Sequence, residues 1–255
     1  MSQNVLSIDL SKYENYKKIP FSDLDQSFFP KNFKLNNFSL NSCYLFIEDE
    51  NDVYNPKLNL KIQFHPPNEC SNVSILIAKI KEKLNLNLWL GNGTKLFLKK
   101  GAKGNWNIRL KNQSSMKLGK VMLASGVEVI CEIYGEVNIE DDCLFSNGIT
   151  IQCGDQHGII SLEDKKIINS EKPRINIGKH FWCGRNASIV ASSKEVNIGS
   201  GSILGLGSVL AKSMPKNCIF AGNPAKKIRD NVSWSGVRYP NKKLINEIIE
   251  NLNKT

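Results

Sequence analysis

Ile198-Gly-Ser-Gly-Ser-Ile203 runs directly into Leu204-Gly-Leu-Gly-Ser-Val209 and then Leu210. Upstream, Ile177-Gly-Lys-His-Phe-Trp182 runs into Cys183-Gly-Arg-Asn-Ala-Ser188 and then Ile189. A period of six fits neither an α-helix nor an ordinary amphipathic strand. It fits a chain that makes a short strand, turns a corner and repeats. Three such sides close a coil of roughly 18 residues, with the first residue of each hexad pointing inward onto the coil below. The fifth position is small at Ala102, Cys143 and Ser202, which suits a crowded corner. Glycine after the aliphatic residue is expected to supply a positive φ or a close approach of two backbones.

The same rhythm extends outward. Apolar pairs spaced two apart recur at Leu96/Leu98, Met116/Leu118, Val137/Ile139, Ile175/Ile177 and Val196/Ile198, in steps of 20, 21, 38 and 21 residues. The long step reads as a normal step plus an insertion, so an extended loop is expected at about 152–174. Val73 to Leu90 alternates and is expected to form early, imperfect coils, while Leu58, Leu60, Ile62 and Phe64 alternate as a half-buried strand. Leu244, Ile245, Ile248, Ile249 and Leu252 follow helical spacing after Pro240, predicting one amphipathic helix that caps the open end of the stack. The expected division is a β-rich N-terminal region over 1–72, a parallel β-helix over 73–222, and a tail with a C-terminal helix over 223–255.

Composition bounds the function. The chain has 255 residues, 41% hydrophobic and 23% charged, enough to bury a core. No run of 18 apolar residues occurs, and the N-terminus carries acids and lysines where a secretory signal needs an apolar block, so a cytoplasmic protein is expected. Seven cysteines without a C-x-x-C pair read as small buried residues rather than a disulfide framework or zinc ribbon. The net charge is +10, and 211–255 alone holds nine Lys/Arg against three acids, a net of +6. That patch suits a polyanion: nucleic acid, a phosphorylated cofactor or an anionic lipid surface.

The chemistry is expected at the insertion, because a repeat that breaks its own rhythm commonly carries a functional loop. Its first residues are Cys153-Gly-Asp155-Gln-His157-Gly-Ile159. Histidine is the side chain best suited to move a proton near neutral pH. Asp155, two residues back, is placed to fix its tautomer as a triad carboxylate does. On its own, Asp-x-His is equally the reading of a surface histidine in a polar hydrogen bond.

The stretch from Gly154 to Arg229 resembles the catalytic half of the hexapeptide-repeat O-acetyltransferases that modify sugars and surface polysaccharides. Asp155-Gln156-His157 matches their catalytic histidine motif, and Phe181-Trp182-Cys183-Gly184 matches a tryptophan-isoleucine-glycine corner with Cys183 for isoleucine. Leu204-Gly205-Leu206-Gly207-Ser208-Val209 matches a coil motif with Leu206 for alanine, and Ala221-Gly222-Asn223-Pro224-Ala225-Lys226-Lys227-Ile228-Arg229 matches the terminal signature nearly in full. The resemblance implies a mainly β, left-handed parallel β-helix. It implies acetyl-CoA as donor, a carbohydrate acceptor, and a homotrimer with sites between subunits. It carries His157 and Asp155 over as catalytic, and Trp182, Arg185, Leu206, Ser208, Ala211, Lys212, Lys226 and Arg229 as donor-binding. Three extra residues between Ile189 and Ile198 are expected to bulge from a corner.

Two other readings stay open: an N-acetyltransferase on an amino-sugar nucleotide, and a solenoid used only for binding or scaffolding. Zinc β-helix chemistry needs three histidines; with His65 outside the repeat, His157 and His180 cannot supply them, so no metal is expected. The basic residues coincide with the expected donor path and no aromatic-interleaved RNA motif appears, so nucleic acid is not an expected partner. No transmembrane segment is expected; peripheral membrane contact stays open.

Overall fold

The computed structural model describes residues 13–31, 39–64 and 69–254. His65 lies outside the described residues. The chain winds into a triangular coil with three parallel sheets as its sides. One side runs from Tyr44–Ile47 through Ser74–Ile77, Lys95–Leu98, Ser115–Leu118, Glu136–Ile139 and Arg174–Ile177 to Glu195–Ile198. A second holds Val121–Ala124, Cys143–Phe145, Trp182–Cys183, Ile203–Leu204 and Cys218–Ala221. The third runs from Leu58–Phe64 and Leu84–Leu90 through Gly104–Leu110, Val127–Cys131, Ile149–Cys153 and Ser188–Ala191 to Val209–Leu210.

The apolar pairs read from the sequence are the inward rungs of the first side. Leu96 pairs with Met116, Met116 with Val137, Val137 with Ile175, and Ile175 with Val196. All are buried. The insertion leaves the pairing of Val137 with Ile175 in register, so the extra residues leave the stack at a corner rather than within a strand. Aromatic rings fill the interior of the coil: Trp106 from the third side, then Phe145 and Phe181, follow each other at centroid distances of 5.6 and 6.2 Å. The seven cysteines are all free and buried, and burial pushes the Cys143 thiol up to about 12.

The stack starts earlier than residue 73. Tyr44–Ile47 already pairs in parallel with Ser74–Ile77, and Leu58–Phe64 with Leu84–Leu90. These first coils lack the glycine corners that make the later ones readable. The segment before them closes the open end: Lys17–Pro20 pairs antiparallel with Tyr44–Ile47, and buried Phe21, Phe28 and Phe29 lie over the core. The C-terminal helix, Lys242–Asn253, forms as expected, its first turn bonded by the Asn241 side chain to the Leu244 N–H at 2.9 Å. It does not cap the stack. The last strand edge is covered by Lys226–Asp230, antiparallel to Cys218–Ala221, and the helix lies along the coil near Asp141, His180 and Trp182.

The glycines following the aliphatic residues serve close approach and do not take a positive φ. A Cβ on Gly199 would lie 2.2 Å from the Lys216 backbone nitrogen. The left-handed residue of each corner is the fourth of the hexad: Gly201, Gly207, Asn186, His180 and Asp142. Gly199→Ala is therefore expected to cost about 1–3 kcal/mol, whereas Gly207→Asn, at a corner where Asn186 shows asparagine is accepted and with no neighbour within 4 Å of its Cβ position, should change little. Urea unfolding midpoints measure both; equal midpoints for the two variants would contradict this assignment of corner roles.

Candidate active site

On the third side the strand Ile149–Cys153 ends at Cys153, and the chain then leaves the coil as a two-stranded hairpin, Ile160–Ser161 against Lys166–Ile167. An isolated hairpin of this size is marginal, so its root must be tied. Asn169 does this. Its amide donates to the Asp155 carboxylate and to the His157 carbonyl, both at 2.9 Å, and its oxygen accepts the Ile159 N–H at 2.7 Å. The Ser192 hydroxyl donates to the same Asp155 oxygen. Ser192 belongs to the three-residue bulge at 192–194, so the extra residues expected at that corner hold the root of the loop.

The expected pairing of Asp155 with the His157 ring is not made. Asp155 spends its carboxylate on Asn169 and Ser192, because the chain turns away at Gly154, with φ +103, instead of continuing extended. The carboxylate that feels the His157 charge is Glu132, on the coil above, whose N–H bonds the Cys153 carbonyl at 2.8 Å. One Glu132 carboxylate oxygen is buried and has no hydrogen-bond partner among the described residues. Burial raises its pKa above the ordinary glutamate value, an effect partly offset by the charges of Lys111 and His157. The His157 side chain itself is exposed.

The other expected residues divide. Ala211 and Lys212 follow Val209–Leu210 at the same corner as His157, two strand spacings or about 10 Å along the stack. Trp182 lies on the second side, and Arg185 and Leu206 at the corner between second and third sides; all three are exposed, Leu206 at 74%. One chain therefore does not bring His157 and Trp182 together. Ser208 is fully buried, with its hydroxyl accepting the Gly222 N–H at 3.0 Å, so it holds a corner rather than facing a ligand. Lys226 and Arg229 stand on the exposed terminal strand. Among the described residues, Arg185, Lys212, Lys226 and Arg229 have no ion-pair partner, and no group of His, Cys, Asp and Glu is gathered for a metal.

Trp182 borders a cleft of about 700 Å³ closed by Trp234 of the tail and by Ile245, Ile248 and Ile249 of the helix. A clasp holds that tail. The His180 and Trp234 rings stack at 4.2 Å, the Trp234 indole donates to the His180 carbonyl at 2.7 Å, and the two imidazole nitrogens face the Asp142 carboxylate (2.7 Å) and the Trp234 carbonyl (2.9 Å). Burial presses the ring toward neutrality, but those two acceptors outweigh it and raise its pKa.

No protein-family model matches the chain. It is 32% identical over 116 residues to a polysialic acid O-acetyltransferase of Escherichia coli O1:K1, spanning 46% of this chain and 36% of that one. A polysialic acid O-acetyltransferase of Neisseria meningitidis is 33% identical over 123 residues, 47% of this chain and 56% of that one. The chain thus matches about half or less of the length of these relatives. The crystal structure of the polysialic acid O-acetyltransferase OatWY superposes over 85% of this chain and 96% of its own, with a TM-score of 0.66 at 24% identity. The fold shared with that structure is a left-handed parallel β-helix. Within such a β-helix every inward position is committed to the core, so a side chain that reaches a ligand stands on an outward position, a corner or a loop.

Glu132→Gln separates the site from the stability of its scaffold. A carboxyl whose folded pKa is raised costs stability once pH exceeds both its folded and unfolded values, and that cost fades as pH falls through the raised value. The amide removes it. Glu132→Gln should melt at or above the wild-type temperature at pH 8 and lose that advantage near pH 4. A variant less stable than wild type at pH 8 would refute the strain assigned to this carboxylate.

Proposed function

We propose that the chain is an acetyl-CoA-dependent O-acetyltransferase that acetylates a hydroxyl of a carbohydrate polymer of the capsule or lipopolysaccharide kind. One observation carries the reading: a histidine presented on a tied loop, beside a partly buried carboxylate, at the point where a β-helix of this fold breaks its repeat. The His157 imidazole takes the proton of the acceptor hydroxyl as its oxygen attacks the thioester carbonyl. The tetrahedral intermediate collapses with loss of the thiolate, which receives the proton back from the imidazolium. Glu132 lies within electrostatic reach of His157, and Asp155 acts through Asn169 by fixing the loop.

The cation set suits the donor. Coenzyme A supplies the acyl thioester and several phosphate charges, and Arg185, Lys212, Lys226 and Arg229 are exposed cations able to bond phosphate. Trp182 and Leu206 offer apolar contact to its pantetheine arm, with a backbone amide or the Trp182 indole N–H left to hold the developing oxyanion. A site shared between copies in a homotrimer is favoured by two features. His157 and Trp182 lie on different sides of one coil, and the hairpin leaves Ile160 62%, Leu162 89% and Ile167 55% exposed, an apolar surface fitted to a neighbouring subunit. We place the reaction in the cytoplasm with its soluble donor; among the described residues no helix is long and apolar enough to cross a membrane.

His157→Ala should cut kcat by ~10²–10⁴-fold in a thiol-release assay while coenzyme A binding persists. Undiminished turnover would remove His157 as the base. Mixing inactive His157→Ala with inactive Trp182→Ala chains and letting subunits exchange should restore part of the activity, because some sites then hold an intact residue from each copy. No recovery after verified exchange would contradict a shared site.

A further inference from the structure

The third side of the coil carries an outward row that core packing does not explain. In Leu84–Leu90 the leucines at 84, 86, 88 and 90 are buried, so Asn85, Asn87 and Trp89 face outward between them. The next coil answers in register with Asn105, Asn107 and Arg109, and the coil before with Asn59, Lys61 and Gln63. Of the six outward positions in the first two of these columns, five are asparagine. Asparagine is depleted in strands, where its amide competes for backbone partners. A sequence that breaks a local preference repeatedly at surface positions does so where those side chains are used.

The amides form a ladder. Gln63 donates to Asn87 at 3.1 Å, and Asn87 to Asn107 at 3.4 Å. An amide has two N–H donors and an oxygen with two lone pairs, so each rung keeps hydrogen-bonding capacity beyond the ladder. Asn87 and Asn107, with Asn59, Lys61, Asn85 and Asn105 beside them, line a groove of about 560 Å³ that is continued by Glu128, Asn147 and Thr150. From the Asn59 coil to the Thr150 coil it spans four strand spacings, about 19 Å. The Glu128 charge within it is met by Arg109 at 3.3 Å. The far end of the groove, at Ile149 and Thr150, lies on the strand Ile149–Cys153, which ends two residues before Asp155. The groove therefore leads to the coil from which the His157 loop springs.

We infer that this groove docks an extended carbohydrate chain, holding a polymeric acceptor along the outside of the β-helix. Evenly repeated amide rungs suit a ligand whose hydroxyl groups, each both donor and acceptor, also repeat. The identity of the ligand rests on the acetyl-transfer reading; the groove does not. Polysialic acid, the polymer named for the relatives, and a sialic acid dimer are the probes, titrated without acetyl-CoA.

Wild type and His157→Ala should bind the polymer equally, and both more tightly than the dimer. Asn87→Ala/Asn107→Ala should weaken polymer binding about tenfold or more, two lost hydrogen bonds' worth, and raise KM for polymer while leaving kcat unchanged. A fluorophore on Asn105→Cys reports contact in a groove whose ladder is otherwise intact, the native cysteines being buried; polymer should shift its emission. Equal polymer binding by the double variant, no binding by wild type, an unmoved fluorophore at saturation, or a cross-link from position 105 to a second copy each overturn the inference. Polymer held at the ladder with no thiol release on any acceptor supports docking and sinks the catalytic reading. Turnover of short acceptors with no binding at the ladder does the reverse.

Discussion

A coil of this kind stands only if each inward residue lands on the one above it, and that register governs everything else in the chain. Leu96, Met116, Val137, Ile175 and Val196 form one such column across five turns. Because strand side chains alternate, a slip of one residue would turn a whole buried row toward water. Extra residues can therefore be admitted only at corners. Both departures from the repeat, the hairpin after Cys153 and the bulge at 192–194, fall at the corner between the third and first sides. The two ends of the stack are closed by different means, aromatic residues with an antiparallel strand on the first side at the start and an antiparallel strand on the second side at the finish.

That constraint explains the form of the site. A residue that must reach substrate cannot face the core, so it stands on an outward strand position, a corner or an inserted loop. In the proposed site His157 stands on the loop and Glu132 at the corner above it, while Asn169 and Ser192 lock the root through Asp155. Strain accumulates there: Glu132 is a partly buried acid with an unpartnered oxygen, tolerable because the coil beneath is fully packed. A prism also has three sides, and one chain spreads the expected donor residues over more than one of them. Under the proposed reading, assembly with a second copy puts Trp182 opposite His157.

Much of this was legible in the sequence, and the misses have physical causes. The hexads from Ile177 to Leu210 show their corners, since small residues and glycines mark where backbones crowd. The first coils, Tyr44–Ile47 and Leu58–Phe64, stack as faithfully but turn through longer connections without glycine, so they read as ordinary strands. The glycine after each aliphatic residue was readable as special; which of two reasons applied was not, because close approach depends on the neighbouring coil. Asp155 looked like the partner of His157 because they are two residues apart. Glu132 and Asn169 are brought in by the third dimension, across the stack and across the hairpin, and no local spacing marks them. The helix at Lys242–Asn253 was plain from its period, but its seat beside His180 and Trp234 was not.

The central claim is that this β-helix moves an acetyl group from a thioester to a sugar hydroxyl. Mass analysis of a defined surface oligosaccharide after incubation with the protein and acetyl-CoA tests it most directly. The account requires one or more added acetyl groups that mild alkali removes, as it removes an ester. An alkali-stable acetyl group would make the acceptor an amine, and no added mass with any oligosaccharide would leave the fold without the proposed chemistry.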